Sequence, residues 1–213
     1  MILLSIGAMA NATAEASSAG GYFETVFLPN IVERIKDMVY APSTNHDMLW
    51  IVFPLVFTLL MMEFYFGRYT REELGWNTAV GNSLVLIFVS IDLFRYLYNH
   101  PQALGTLTFL LESPVPTKML IAMLVFIEGI ILLFEDFFHR IPKRIAFFIS
   151  SPLPVNLTAY VGIAIVYSNI PFDWYTILAA LALFFLLLLF FWIVRLAVPI
   201  AAVQEPRVGE GRE

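Results

Sequence analysis

Cysteine is absent from the 213 residues, which excludes disulfides, thiolate metal sites, iron–sulfur ligation and cysteine nucleophiles together. Charge is scarce too. Asp, Glu, Lys and Arg supply 14% of the chain, against roughly a quarter in soluble domains, too little to coat a water-facing surface. Positive charge is the scarcer sign, with 12 Lys and Arg against 17 Asp and Glu. The net charge of −5 speaks against a phosphate-binding surface, so no nucleic-acid partner is expected. There is no phosphate-binding loop, dinucleotide glycine fingerprint, nucleophile elbow or zinc-protease helix motif, so neither enzyme activity nor a cofactor is expected.

What is present is apolar: 60% hydrophobic residues and a mean hydropathy of +0.80. The class this implies is an all-α, polytopic membrane bundle. A helix needs about 20 apolar residues to cross the hydrocarbon core. Such runs occur at 48–66, 79–98, 118–138, 152–167 and 174–203. The fourth is the shortest, and about 16 residues at 1.5 Å each give roughly 24 Å, slightly less than the core. It crosses a thinned bilayer, begins earlier at Ile145 with a break over 150–154, or is re-entrant. Five spans are expected, with four as the alternative.

Lysines and arginines orient the spans. Arg34, Lys36, Arg95 and Lys118 fall on the N-terminal side, whereas Arg68, Arg71, Arg140, Lys143, Arg144, Arg195, Arg207 and Arg212 fall opposite. That bias places the N-terminus outside and the C-terminus in the cytoplasm of a cell-membrane protein. Aromatic belts agree, with Trp50, Tyr96, Tyr98, Tyr167 and Trp174 at the outer rim and Tyr65, Tyr69, Trp76 and Trp192 at the inner. Four spans would put both termini outside and spoil the bias.

Outside the bundle, 48–203, the chain divides into a flexible or signal-like leader (1–21), an amphipathic segment (22–47) and a polar tail (204–213). Over 30–40, Ile31, Val32, Ile35, Met38 and Val39 form a helical stripe opposite Glu33, Arg34, Lys36 and Asp37. The expectation is an interfacial helix on the outer leaflet, with docking to a partner subunit as the sharper reading. Ser113-Pro114-Val115-Pro116 and Ser151-Pro152-Leu153-Pro154 resemble each other. Two independent helix starts, each with a capping serine and a proline in the first turn, account for them better than an inverted duplication.

Acids inside the spans carry the functional information, because an Asp at a helix centre costs about 2.5–3.5 kcal/mol even on the mildest scale. Asp92, Arg95, Tyr96 and Asn99 share one face of the second span, and Glu128, Glu135 and His139 share one face of the third. Glu128 is central, and Gly129 beside it admits a close neighbouring helix. Asp92 and Glu128 come at comparable depths, so Arg95 is expected to bridge both in one buried cluster. Glu63, Glu135 and Asp136 read as inner-rim acids reaching the head groups. His46 beside Asp47 and His100 beside Asn99 lie on the outer face and are the one pairing that could share a metal. Their spacing does not demand it. The function this favours is a small cation or proton channel or secondary transporter, homo-oligomeric because five spans leave little room for an enclosed path. The alternative is a non-catalytic subunit or scaffold of a larger membrane assembly. Expected partners are the bilayer and either further copies of the chain or other membrane subunits.

Overall fold

The computed structural model describes residues 23–69, 74–101, 117–168 and 170–197. The leader 1–21, the Ser113–Pro116 motif, positions 198–203 and the tail 204–213 lie outside them. All regular structure among the described residues is helical. After a single π turn, Phe23–Phe27, come α1 (Leu28–Thr44), α2 (Leu49–Arg68), α3 (Trp76–Asn99), α4 (Thr117–Phe137), α5 (Lys143–Ile149), α6 (Pro152–Ser168) and α7 (Trp174–Ala197). Five stretches are long and apolar enough to cross a membrane: α2, α3, α4, α5 with α6, and α7. The chain is a multi-pass helical membrane protein.

The short fourth run is the centre of the bundle. α6 packs against α1, α2, α3, α4 and α7, and 67% of the apolar window that it shares with α5 is buried. α7 is the most apolar of the five spans, yet only 11% of its window is buried. This inverts the soluble pattern for a physical reason. Lipid is as apolar as leucine, so hydrophobicity does not decide which helix goes inside, whereas close packing and polar contacts do. The break before α6 falls at Ser150–Ser151, and α5 supplies the length that α6 lacks. Pro152 takes the first helical position, where its missing N–H leaves no bond unmade. Ser151 departs from the expected cap: its hydroxyl donates backwards to the Phe148 carbonyl at 2.8 Å.

Glycine sets two of the helix contacts. A Cβ on Gly129 would stand 2.9 Å from Ile87 Cγ1 and 3.1 Å from the Ile87 backbone nitrogen, so α3 and α4 meet there nearly backbone to backbone. A Cβ on Gly162 would stand 2.9 Å from Val125 Cγ2, which fixes α6 against α4.

The amphipathic segment becomes α1, and its stripe divides. Ile31, Ile35 and Met38 turn inward onto α6 and α7, with Met38 fully buried, while Val32 and Val39 remain exposed. α1 therefore docks on its own bundle. Tyr160 of α6 donates to the Met38 carbonyl at 2.7 Å, and Arg34 reaches Asp173, just before α7, at 3.2 Å. Burial alone pushes the Asp173 carboxyl up. The Thr176 amide, the Arg34 guanidinium and the Thr176 hydroxyl outweigh it and hold the group below the ordinary carboxylate range.

Candidate functional site

The intramembrane acids occupy four separate places. Near the end of α3, Arg95 Nε donates to Asp92 Oδ1 at 2.9 Å, and the Tyr167 hydroxyl of α6 donates to Asp92 Oδ2 at 2.7 Å. The Tyr167 ring stacks on Tyr96 with centroids 3.8 Å apart, and His100 stacks on the other side of Tyr96 at 4.3 Å. Asn45, between α1 and α2, donates to the Tyr167 carbonyl at 3.0 Å. The expected polar face of α3 is therefore real, but its partner is the end of α6, where a tyrosine read only as a belt residue supplies the second hydrogen bond. The Arg95 side chain is 63% exposed, so it lies at the edge of the bundle and not in a sealed core.

At the opposite end, Asp136 is 0% exposed and is not a rim residue. Its Oδ2 accepts from Ser83 of α3 at 2.8 Å and from Ser150, at the break before α6, at 2.7 Å. Asn82 adds a 2.7 Å bond to the Ser150 carbonyl. Asp136 Oδ1 is buried without a partner among the described residues. Three elements converge there because the break exposes Ser150, whose hydroxyl and carbonyl both find partners. Asn82 and Ser83, small polar residues at the same depth as Asp136 in the preceding span, were the sequence signal for this contact.

Glu63 also fails to reach outward. It is buried against α7, where Arg195 Nη2 donates to its carboxylate at 2.6 Å. The Arg195 stem passes over Gly67, where a Cβ would come within 3.2 Å of Arg195 Cγ. The first and last spans are thereby tied at one level. Glu135 is half-buried and takes no part in these contacts among the described residues.

No family model, curated protein or solved structure matches this chain.

Glu128 stands apart from all three contacts. No hydrogen bond or ion pair links it to Asp92 or Arg95 among the described residues, so the expected three-residue cluster does not form. The reason is rotational. Gly129 turns the adjoining face of α4 onto α3, so Glu128 points towards α6 and α7. There it lines a cavity of about 420 Å³ with Leu124, Val125, Thr158, Val161, Leu181 and further apolar side chains.

The histidines do not converge on a third ligand. His100 Nδ1 lies 3.0 Å from the Tyr96 carbonyl, His46 is exposed in the turn before α2, and the described residues hold no group of three or more potential His, Cys, Asp or Glu ligands. Chemically, three of the four acidic places among the described residues fasten helices to one another. The fourth presents an uncommitted carboxyl to an apolar hollow.

Proposed function

We propose that this chain is a non-catalytic integral membrane subunit, a scaffold of a larger membrane assembly. The observation that carries the reading is the pairing of Arg95 with Asp92, with no bond from either to Glu128 among the described residues. A cation or proton path through the bundle needs one seam holding both acids, whereas here Arg95 pairs with Asp92 within α3, Tyr167 of α6 donates to Asp92, and Arg195 of α7 pairs with Glu63 of α2. Ties of that kind hold register, which suits a rigid element in an assembly. α7 supports the same reading, since Phe185, Leu189, Phe190, Ile193 and Leu196 are all exposed along it and offer a broad face to lipid or to a neighbouring subunit.

In this reading the protein lies in a cell membrane with its N-terminus outside and its C-terminus in the cytoplasm, as the lysine and arginine bias favours. An Arg207→Cys variant of this cysteine-free chain should then resist an impermeant maleimide in sealed cells, and ready labelling would reverse the orientation. For the function itself, the discriminating measurement is proton and monovalent-cation flux through liposomes holding the purified chain. Flux equal to that of empty vesicles is expected. Flux above that level, lost in Glu128→Gln, would restore the transport reading.

A further inference from the structure

The cavity beside Glu128 has the composition of a ligand site. Its volume of about 420 Å³ falls within the roughly 300–1,000 Å³ typical of small-molecule pockets. α4 and α7 both pack on α6 but not closely on each other, so the hollow opens between them towards the membrane. Leu124, Ile177 and Leu181 stand at this opening and are exposed. The walls are mainly aliphatic and aromatic, and Glu128 is the one ionisable side chain in them among the described residues.

A second polar group faces it. Val125 of α4 lies against Gly162 of α6, and these helices run antiparallel because Asp136, near the end of α4, meets Ser150, just before α6 begins. One turn from that contact towards Asp136 reaches Glu128 on α4 and Thr158 on α6. Both line the cavity, so they share a level on adjoining walls. Neither side chain has a hydrogen-bond partner among the described residues, unlike Thr176 on the third wall, which donates to the Pro171 carbonyl at 2.6 Å. Glu128 lies about 16 Å along α4, close to its midpoint, at the depth where a carboxylate needs a proton or a countercharge.

We propose that this cavity binds a small lipophilic molecule bearing a cationic nitrogen, with Glu128 as its counter-ion and the Thr158 hydroxyl as its second polar contact. Charge complementarity selects the cation, and the apolar walls and lateral opening select a ligand that arrives through the lipid. The inference does not depend on the scaffold reading.

The test is protection from a hydrophobic carbodiimide. Dicyclohexylcarbodiimide adds the O–H of a carboxylic acid across its N=C bond, and acyl transfer to nitrogen leaves a stable N-acylurea that peptide mass spectrometry locates. In the full chain in lipid vesicles, Glu128 should be labelled. N,N-Dimethyldecylammonium, whose N–H can donate to the Thr158 hydroxyl, should slow that labelling about tenfold near ten times its dissociation constant, since only about one site in eleven is then unoccupied. Decanol at the same membrane concentration should not. In Thr158→Val, which keeps the side-chain shape, the ammonium should protect several-fold less. Equal protection by the alcohol would reduce the cavity to an acyl-chain groove and overturn the proposal. Absence of labelling at Glu128, or no protection by the ammonium, would overturn it as well.

Discussion

Glu63 and Arg195, 132 positions apart, meet through a 2.6 Å hydrogen-bonded ion pair that joins the first span to the last. The carboxylate is buried and the guanidinium about half exposed, so the pair lies between the two regimes measured for ion pairs. Exposed pairs contribute about 0–1 kcal/mol, and breaking a fully buried one costs about 3–5. Removing either partner should destabilise the bundle by about 1–2 kcal/mol, an interpolation between those limits. The measurement is a double-mutant cycle on Glu63→Gln and Arg195→Leu, followed by unfolding in mixed micelles. A coupling energy indistinguishable from zero would show that α2 and α7 are held by apolar packing alone.

Asp136 should tolerate asparagine and resist leucine. The amide oxygen of Asn can still accept from Ser83 and Ser150, and the substitution removes a buried charge, while its NH2 takes the place of the oxygen that has no partner among the described residues. Asp136→Asn is therefore expected to be as stable as the parent or more so. Asp136→Leu strands two hydroxyl donors and should lose about 1–3 kcal/mol, less whatever Ser83 recovers by donating to the Ala79 carbonyl. Thermal unfolding of the two variants in one detergent checks the order, and a stable leucine variant would contradict it.

The Arg34–Asp173 contact should make the docking of α1 sensitive to acid. Asp173 caps α7 by accepting from the Thr176 amide at 2.9 Å, and its carboxyl is held below the ordinary range by that amide, by Arg34 and by the Thr176 hydroxyl, against the opposing effect of burial. A carboxyl lowered in the folded state contributes fully above its unfolded value, near pH 4, and that contribution fades as the pH falls through the lowered folded value. Hydrogen exchange along Leu28–Thr44 should accordingly speed up, relative to intrinsic rates, only in that acid window. Asp173→Asn should flatten the dependence, although Asp37, 3.5 Å from Arg34, remains to hold the guanidinium. An unchanged profile in this variant would remove the contact as its cause.

Two glycines on neighbouring helices should respond in opposite directions to alanine. Gly129→Ala forces a methyl against the Ile87 backbone and should cost about 1–3 kcal/mol as overpacking. Gly81 of α3 has nothing within 4 Å of a Cβ, so Gly81→Ala should gain up to about 1 kcal/mol from helix propensity. Unfolding of both variants in the same micelles tests the pair. Equal effects would mean that α3 and α4 are not in contact at Gly129.

Residue type and run length were enough to specify an α-helical membrane bundle with five crossing elements. Every backbone amide in hydrocarbon must be satisfied within its own helix, so about 20 apolar residues leave few alternatives. The uncertainty at the fourth run had a definite origin. Length and hydropathy measure a helix against lipid, and α6 is surrounded by protein instead. The face of α3 carrying Asp92, Arg95 and Tyr96 was legible from helical spacing, and so was the close approach at Gly129. What only the tertiary structure decided was which charged side chain meets which. Depth along a helix follows from 1.5 Å per residue, but rotation about the helix axis is set by contacts such as Gly129 on Ile87 and Gly162 on Val125. Those contacts turn Glu128 away from Arg95, bring Asp136 under Ser83 and Ser150, and carry Arg195 across to Glu63. Depth is a property of one chain segment, whereas rotation is a property of pairs of helices, and the sequence of one helix does not contain its neighbour.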